Sequence, residues 1–159
     1  MNIRAPIQTE IHPLAEELAE LPLLRRYRLS ANRLSSELIT ALKQGDGLRI
    51  LEDGGRPRGL AWFLTSGTFA TGGYLKLIAI ASDFQQKGAG AALLAAFEDA
   101  ASEKCRNAFL LVSDFNTGAQ RFYERHGYGR VGGLPGLILP DVIELIYWKR
   151  LGSGNGMTN

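Results

Sequence analysis

Residues 74–80 read Tyr-Leu-Lys-Leu-Ile-Ala-Ile, a strand apolar on both faces apart from Lys76. Such a strand is covered on both sides and belongs in the centre of a sheet. A short loop leads from it into Gly88-Ala89-Gly90, and a helix dense in alanine and leucine follows over 88–104. The next buried strand comes at 108–112. Strand, glycine turn, helix and strand in that order give a sheet with helices packed on its faces.

The flanking segments fill in the rest. Asn2 to Ala5 reads as a short edge strand, and 10–28 as one or two helices with Leu14, Leu18 and Leu21 on one face. Asn32 is placed to N-cap a helix over 33–44, which Gly45 ends. The period then changes to two. Strands at 47–52 and 58–64 flank an Asp53-Gly54-Gly55-Arg56 turn, giving an antiparallel hairpin, and a Gly-, Ser- and Thr-rich loop covers 65–73. A helix over 117–126 precedes the last strands, 128–131 and 142–148, which the glycine-rich piece 132–136 separates. The expected class is α/β, with a mixed sheet. One domain is expected over 1–151, with 152–159 as a flexible glycine-rich tail.

Composition sets outer limits. A chain of 159 residues with 45% apolar and 21% charged residues suits one globular domain. Eighteen basic against sixteen acidic residues leave a formal charge of +2, too balanced for a dedicated nucleic-acid binder, although Arg25, Arg26 and Arg28 cluster. No apolar run is long enough for a membrane helix, and the first ten residues lack a signal-peptide core. A lone Cys105 excludes an internal disulfide, so a reducing cytoplasm is the expected compartment. His12 and His126 have no partners at ligand spacing, so no metal is expected.

The Gly88 turn supports two readings. Glycine there satisfies a tight turn, or it lets an anion approach the free N–H groups of a helix start. Gln85, Gln86 and Lys87 add donors and a positive charge, which suits a pyrophosphate. A dinucleotide fold fits poorly. Its third glycine position is Leu93, its loop is too long, and a hairpin precedes the motif, although Asp114 stands near the spacing of the ribose-binding acid.

Gln85-x-x-Gly88-x-Gly90-x-x-Leu93-Leu94 resembles the acyl-CoA pyrophosphate loop of the GNAT superfamily of N-acetyltransferases. Downstream, Asn116-x-x-Ala119-x-x-Phe122-Tyr123-x-x-x-Gly127-Tyr128 is similar to that family's second motif. Together the motifs cover about 74–131. The resemblance implies a GNAT fold, a mixed, largely antiparallel central sheet with helices on both faces, and acetyl-CoA as co-substrate. It implies that Ile78, Ala79 and Ile80 line the pantetheine arm, that Gln85 to Gly90 hold the pyrophosphate, and that Asn116 contacts the coenzyme. Tyr123 is implied as the acid that protonates the leaving thiolate; read as residues alone, it is equally a core aromatic on a buried helix face with Ala119, Phe122 and His126.

The expected reaction is direct attack of a primary amine, from a small molecule or a peptide, on the thioester. An alkyl amine is mostly protonated at neutral pH, so a base is required. Many relatives carry a glutamate on the central strand; here that strand offers Lys76 and no acid. Asp83, Asp114, Asp141 and Glu144 are the remaining candidates. The absent acid also leaves a non-catalytic acyl-CoA-binding module as the alternative. Residues 10–36, Trp62 to Thr68 and the apolar stretch from Leu134 to Glu144 are expected around the acceptor. A homodimer is expected through the apolar strand 143–148.

Overall fold

The computed structural model describes residues 1–85 and 88–152. Seven strands form one sheet in the order β1-β2-β3-β4-β5-β7-β6. They are β1 (Asn2–Arg4), β2 (Gly47–Asp53), β3 (Arg56–Thr68), β4 (Gly72–Ile80), β5 (Asn107–Ser113), β6 (Gly129–Pro135) and β7 (Ile143–Arg150). The pairs β1–β2, β2–β3, β5–β7 and β6–β7 are antiparallel, and β4–β5 is parallel. β4 is the middle strand of the seven, as its two apolar faces predict. Among the described residues five α-helices accompany the sheet: α1 (Gln8–Leu18), α2 (Pro22–Arg26), α3 (Ala31–Gln44), α4 (Ala89–Ser102) and α5 (Thr117–Arg125).

Two compact units divide the chain. The first comprises Met1–Phe63 and Leu77–Asp99. Its core joins Ile11, Leu14 and Leu18 of α1 and Leu34 and Leu38 of α3 to Leu48, Ile50 and Leu60 of the hairpin. Phe63 and Phe97 add a ring pair with centroids 5.3 Å apart. Trp62 is a core residue: it is buried, and its indole N–H donates to Asp46 over 2.8 Å. The cap of α3 is Ser30, not Asn32. The Ser30 hydroxyl accepts from the Arg33 amide at 3.2 Å, and the helical ladder already starts with Leu34 N–H donating to the Ser30 carbonyl at 2.9 Å. Gly45 ends α3 in the left-handed region, at φ +82°.

The second unit comprises Leu64–Lys76 and the chain from Ala100 onward. Its ladder of β5 on β7 buries Ala108, Leu110, Val112, Leu145 and Tyr147 on one face, with Leu110 opposite Tyr147 and Val112 opposite Leu145. Three expectations are corrected here. β7 lies between β5 and β6, so its backbone is paired on both sides; strand 143–148 cannot be the open edge of a dimer, and the edge position falls to β6. The glycines at 132 and 133 do not separate two strands but lie within β6. They sit opposite Ile146 and Leu145, and a Cβ on Gly133 would stand 3.0 Å from Ile143 Cγ2. At Gly133 glycine serves close cross-strand approach, not loop flexibility.

The 65–73 loop shrinks to the tip of a β3–β4 hairpin. Gly72 belongs to β4, where a Cβ would meet the Phe109 ring at 2.5 Å. The tip itself is Phe69-Ala70, both left-handed at φ +50° and +60°, closed by Thr71 N–H donating to the Thr68 carbonyl at 3.0 Å. That is the dihedral pattern of a type I′ turn, which asparagine and glycine normally occupy. The Phe69 ring, 73% exposed, holds its place edge-on to Phe109 at 5.3 Å. Ala70→Gly is expected to relieve the left-handed strain and raise stability by about 1 kcal/mol; chemical denaturation of the two proteins checks this, and an unchanged or lower midpoint contradicts it.

Candidate functional site

The first group of candidate residues lies in the first unit. The β4–β5 ladder runs from Gly72–Asn107 to Leu75–Leu110, and the end of β4, Leu77 to Ile80, continues past it. Ile78 and Ile80 are half-buried, and Ala79 is buried. A 3-10 turn, Ser82–Phe84, follows, and Gln85 then folds back so that its amide N–H donates to the Ile80 carbonyl at 3.0 Å. Gln85 is thus a strut across the loop, with one of its two amide protons already engaged. Gln86 and Lys87 lie outside the described residues.

Gly88 supplies the carbonyl that starts α4, accepting from Ala92 N–H at 2.9 Å. It adopts φ +94°, and a Cβ built on it would meet nothing within 4 Å. The space in front of this backbone is therefore open, and a side chain is excluded by conformation alone. Ala89 is buried beneath it and Gly90 half-buried. The first-turn N–H groups of α4 have no intrahelical acceptors, and no acidic side chain stands in that turn. The donor set fits a phosphate group by charge and by access.

What holds this loop was not legible in the sequence. Arg58 of β3 is buried, with its side chain 8% exposed, and its guanidinium reaches Asp83 in the 3-10 turn and Glu17 of α1 at 3.3 Å. It also lies over the Phe84 ring, 5.4 Å from the centroid. A buried arginine with two carboxylates and a ring is fully partnered, so it works as a pin between β3, α1 and the turn. Asp83 is thereby committed to Arg58. An arginine in a strand followed 25 positions later by an aspartate carries no sequence signal.

The second group lies in the second unit. Asn116 is the N-cap of α5, its Oδ1 accepting from Ala119 N–H at 3.1 Å. The cap orients the side chain, and its amide N–H₂ has no partner among the described residues. Gln120 adds a second tie, donating to the carbonyls of Ser113 at 3.2 Å and Asp114 at 3.0 Å. The helix face expected to be buried is not: α5 has no fully buried side chain, and Ala119, Phe122, Tyr123 and His126 are all half-buried. With nine residues and a strongly polar sequence, α5 covers its unit as a strap and does not enter the core.

The end of α5 explains the spacing from Tyr123 to Tyr128. Gly127 takes φ +88°, Tyr128 N–H donates to the Tyr123 carbonyl at 3.0 Å, and Gly127 N–H donates to the Glu124 carbonyl at 3.1 Å. This is a Schellman cap, and its usual hydrophobic contact is present: the Tyr123 and Tyr128 rings stand edge to face, 5.7 Å apart. His126 is a helix-end residue, its Nδ1 2.8 Å from the Phe122 carbonyl. The Tyr123 hydroxyl has no hydrogen-bond partner among the described residues. Burial pushes its phenol well above the ordinary value near 10, so it stays protonated at neutral pH.

The carboxylates expected as bases separate clearly. Asp114 and Asp141 are exposed. Glu144 alone is buried, 4% exposed, on β7 directly opposite Ser113, itself 5% exposed. Strand alternation puts Glu144 and Ser113 on the face opposite the Leu110–Tyr147 core, with Phe109 and, through it, Tyr74. The Tyr74 phenol is raised by burial and by the negative charge of Glu144. Among the described residues no group of three or more His, Cys, Asp or Glu is placed to hold a metal ion, and no helix is long and apolar enough to cross a membrane. Cys105 is half-buried, its Sγ within 3.4 Å of the carbonyls of Thr65, Ala101 and Asn107.

The acetyltransferase (GNAT) family model matches residues 11–128. Solved structures share the fold. Ard1 from Thermoplasma volcanium is 21% identical with a TM-score of 0.77, covering 94% of this chain and 97% of its own. A ribosomal-protein-alanine N-acetyltransferase from Brucella melitensis is 18% identical with a TM-score of 0.74, covering 95% and 100%. An aminoglycoside 6′-N-acetyltransferase in complex with coenzyme A is 18% identical with a TM-score of 0.76, covering 98% and 100%. No curated protein matches the chain.

Proposed function

Since the chain belongs to the GNAT family of acetyl-CoA-dependent N-acetyltransferases, we propose that it transfers the acetyl group to a primary amine by direct attack, with Tyr123 as acid and Glu144 as base. In this reading 1–151 act as one catalytic domain. The backbone of Ile78, Ala79 and Ile80 takes the pantetheine arm, and an N–H of that strand stabilises the oxyanion. The amides of Gly88, Ala89 and Gly90 take the pyrophosphate, and Gln86 and Lys87, which precede them in the sequence, belong to the same motif. Gln85 shapes the loop, and the free amide of Asn116 donates to the coenzyme.

The bound thioester supplies an activated acetyl group. Glu144 takes a proton from the ammonium form of the acceptor, the amine nitrogen bonds to the acetyl carbon, and the carbon–sulfur bond breaks. Tyr123 gives its proton to the departing sulfur and recovers one from solvent. The acceptor is a small-molecule or peptide amine that enters as a cation, which a buried carboxylate favours. Aminoglycosides and the alanine of ribosomal proteins, which the structural neighbours' names give, are the first acceptors to try.

The open backbone at Gly88 is the observation that carries coenzyme binding. Acetyl-CoA at a hundredfold excess over Kd is expected to stabilise the protein by about 2.7 kcal/mol. In Gly88→Val the β-branched side chain occupies the open space and fits poorly at φ +94°. That variant is expected to lose about 1–2 kcal/mol from strain and all of the stabilisation by acetyl-CoA. Thermal melts with and without the coenzyme separate the two effects. A folded variant with wild-type affinity refutes the assignment.

A further inference from the structure

Tyr147 fills a core position of β7, opposite Leu110, and is 1% exposed. Other large core positions are taken by Phe63 and Phe97, which bring no hydroxyl inside. The Tyr147 hydroxyl donates to Glu124 Oε1 over 2.9 Å. Glu124 is an exposed residue of α5, so one of its oxygens turns inward to meet a group the core would not otherwise need. The donor is a buried phenol and the acceptor a carboxylate, a combination stronger than a neutral pair.

Glu124 follows Tyr123 directly. Neighbouring residues on a helix point about 100° apart, so fixing Glu124 toward β7 fixes the direction in which Tyr123 points. Asn116 and Gln120 act at the first turn, and the Schellman bonds hold only main-chain atoms. At the C-terminal turn the Tyr123–Tyr128 ring contact shares the task of fixing the rotation, and the Tyr147–Glu124 bond adds a directional polar tie to it. No side chain of α5 is fully buried, so hydrophobic packing holds this helix less firmly than a core helix when a tie is lost.

We propose that the Tyr147–Glu124 hydrogen bond is a positioning element that aims the Tyr123 hydroxyl at the leaving sulfur. The inference rests on the acid role given to Tyr123 above. Neither residue touches substrate; both act through the rotation of α5.

The test measures thiol release from acetyl-CoA with the best acceptor of a primary-amine panel, and with water alone. Tyr147→Phe keeps the core ring and removes the donor. Its kcat is expected to fall about ten- to a hundredfold, as for other small misplacements of a reacting group, with KM for acetyl-CoA unchanged. Glu124→Ala cuts the same bond from the exposed side, so it reports even if the core variant fails to fold. Glu124→Gln retains an acceptor oxygen and is expected to keep near-wild-type kcat. In the Tyr123→Phe background, Tyr147→Phe and Glu124→Ala are expected to cause no further loss. A wild-type kcat in Glu124→Ala, or losses that multiply with Tyr123→Phe, overturns the proposal. If Tyr123→Phe itself turns over normally, the acid assignment fails instead, and the two failures are distinct.

Discussion

Tyr123→Phe is expected to cut turnover by about 10²–10⁴-fold, the usual worth of a positioned acid, with acetyl-CoA binding unchanged. The ring contacts with Phe122 and Tyr128, at 5.1 and 5.7 Å, do not involve the hydroxyl and survive the change. The hydroxyl has no partner among the described residues, so its loss breaks no hydrogen bond there, and the melting temperature should hold. That separates the acid from a structural tyrosine. A hydroxyl bonded within the fold would cost about 1 kcal/mol on removal and leave turnover intact. The pH profile adds a sign. Burial raises this phenol, so the proton is present at neutral pH and is lost only above the ordinary tyrosine range. Wild-type turnover should show no ionisation from Tyr123 below about pH 10. Normal turnover in the phenylalanine variant would leave solvent as the proton donor.

Glu144→Gln carries the second large effect. The substitution keeps the shape and removes the charge. If Glu144 accepts the proton of the acceptor ammonium, kcat/KM for the amine should fall by about 10²–10⁴-fold near neutrality. The loss should shrink as pH rises toward the amine's own pKa, near 10.4 for an alkyl amine, because the free base then needs no deprotonation. A carboxylate that only supports the sheet predicts a different result: a stability loss of about 1–3 kcal/mol and a rate deficit independent of pH. Initial rates from pH 6 to 10, with each variant's melting temperature measured alongside, decide between them.

The central strand, both motif helices and the first hairpin were legible because each carries its own periodicity and punctuation. Residues 74–80 alternate nothing and so had to be covered on both sides, and Gly45 closes α3 as a left-handed residue. At Gly72 and Gly133 glycine was read as loop, when it lies in a strand and admits the Phe109 ring or the Ile143 side chain of a neighbouring strand. The Phe69-Ala70 turn hid for the opposite reason, since neither residue advertises a positive φ. The motif residues Gly88, Gly90, Asn116 and Tyr123 stood out in the sequence through their resemblance to a family. Arg58 with Asp83, Glu144 with Ser113, and Tyr147 with Glu124 did not, because each pair forms only when the sheet brings distant positions together. The four candidate acids looked alike in the sequence, and burial distinguishes Glu144 from the other three.

α5 joins the rest of its unit through caps, rings and a few polar ties, with no side chain fully inside. Segments held in this way open at lower free energy than the core that carries them. Heat or mild denaturant would therefore release the helix that bears Tyr123 while the ladder of β5 on β7 stayed closed. On the proposed assignment of Gly88 and Tyr123, the protein in that condition would keep the pyrophosphate contacts of the Gly88 turn and lose both the Asn116 contact and the proton donor. Activity is then expected to fail on heating before the fold gives way.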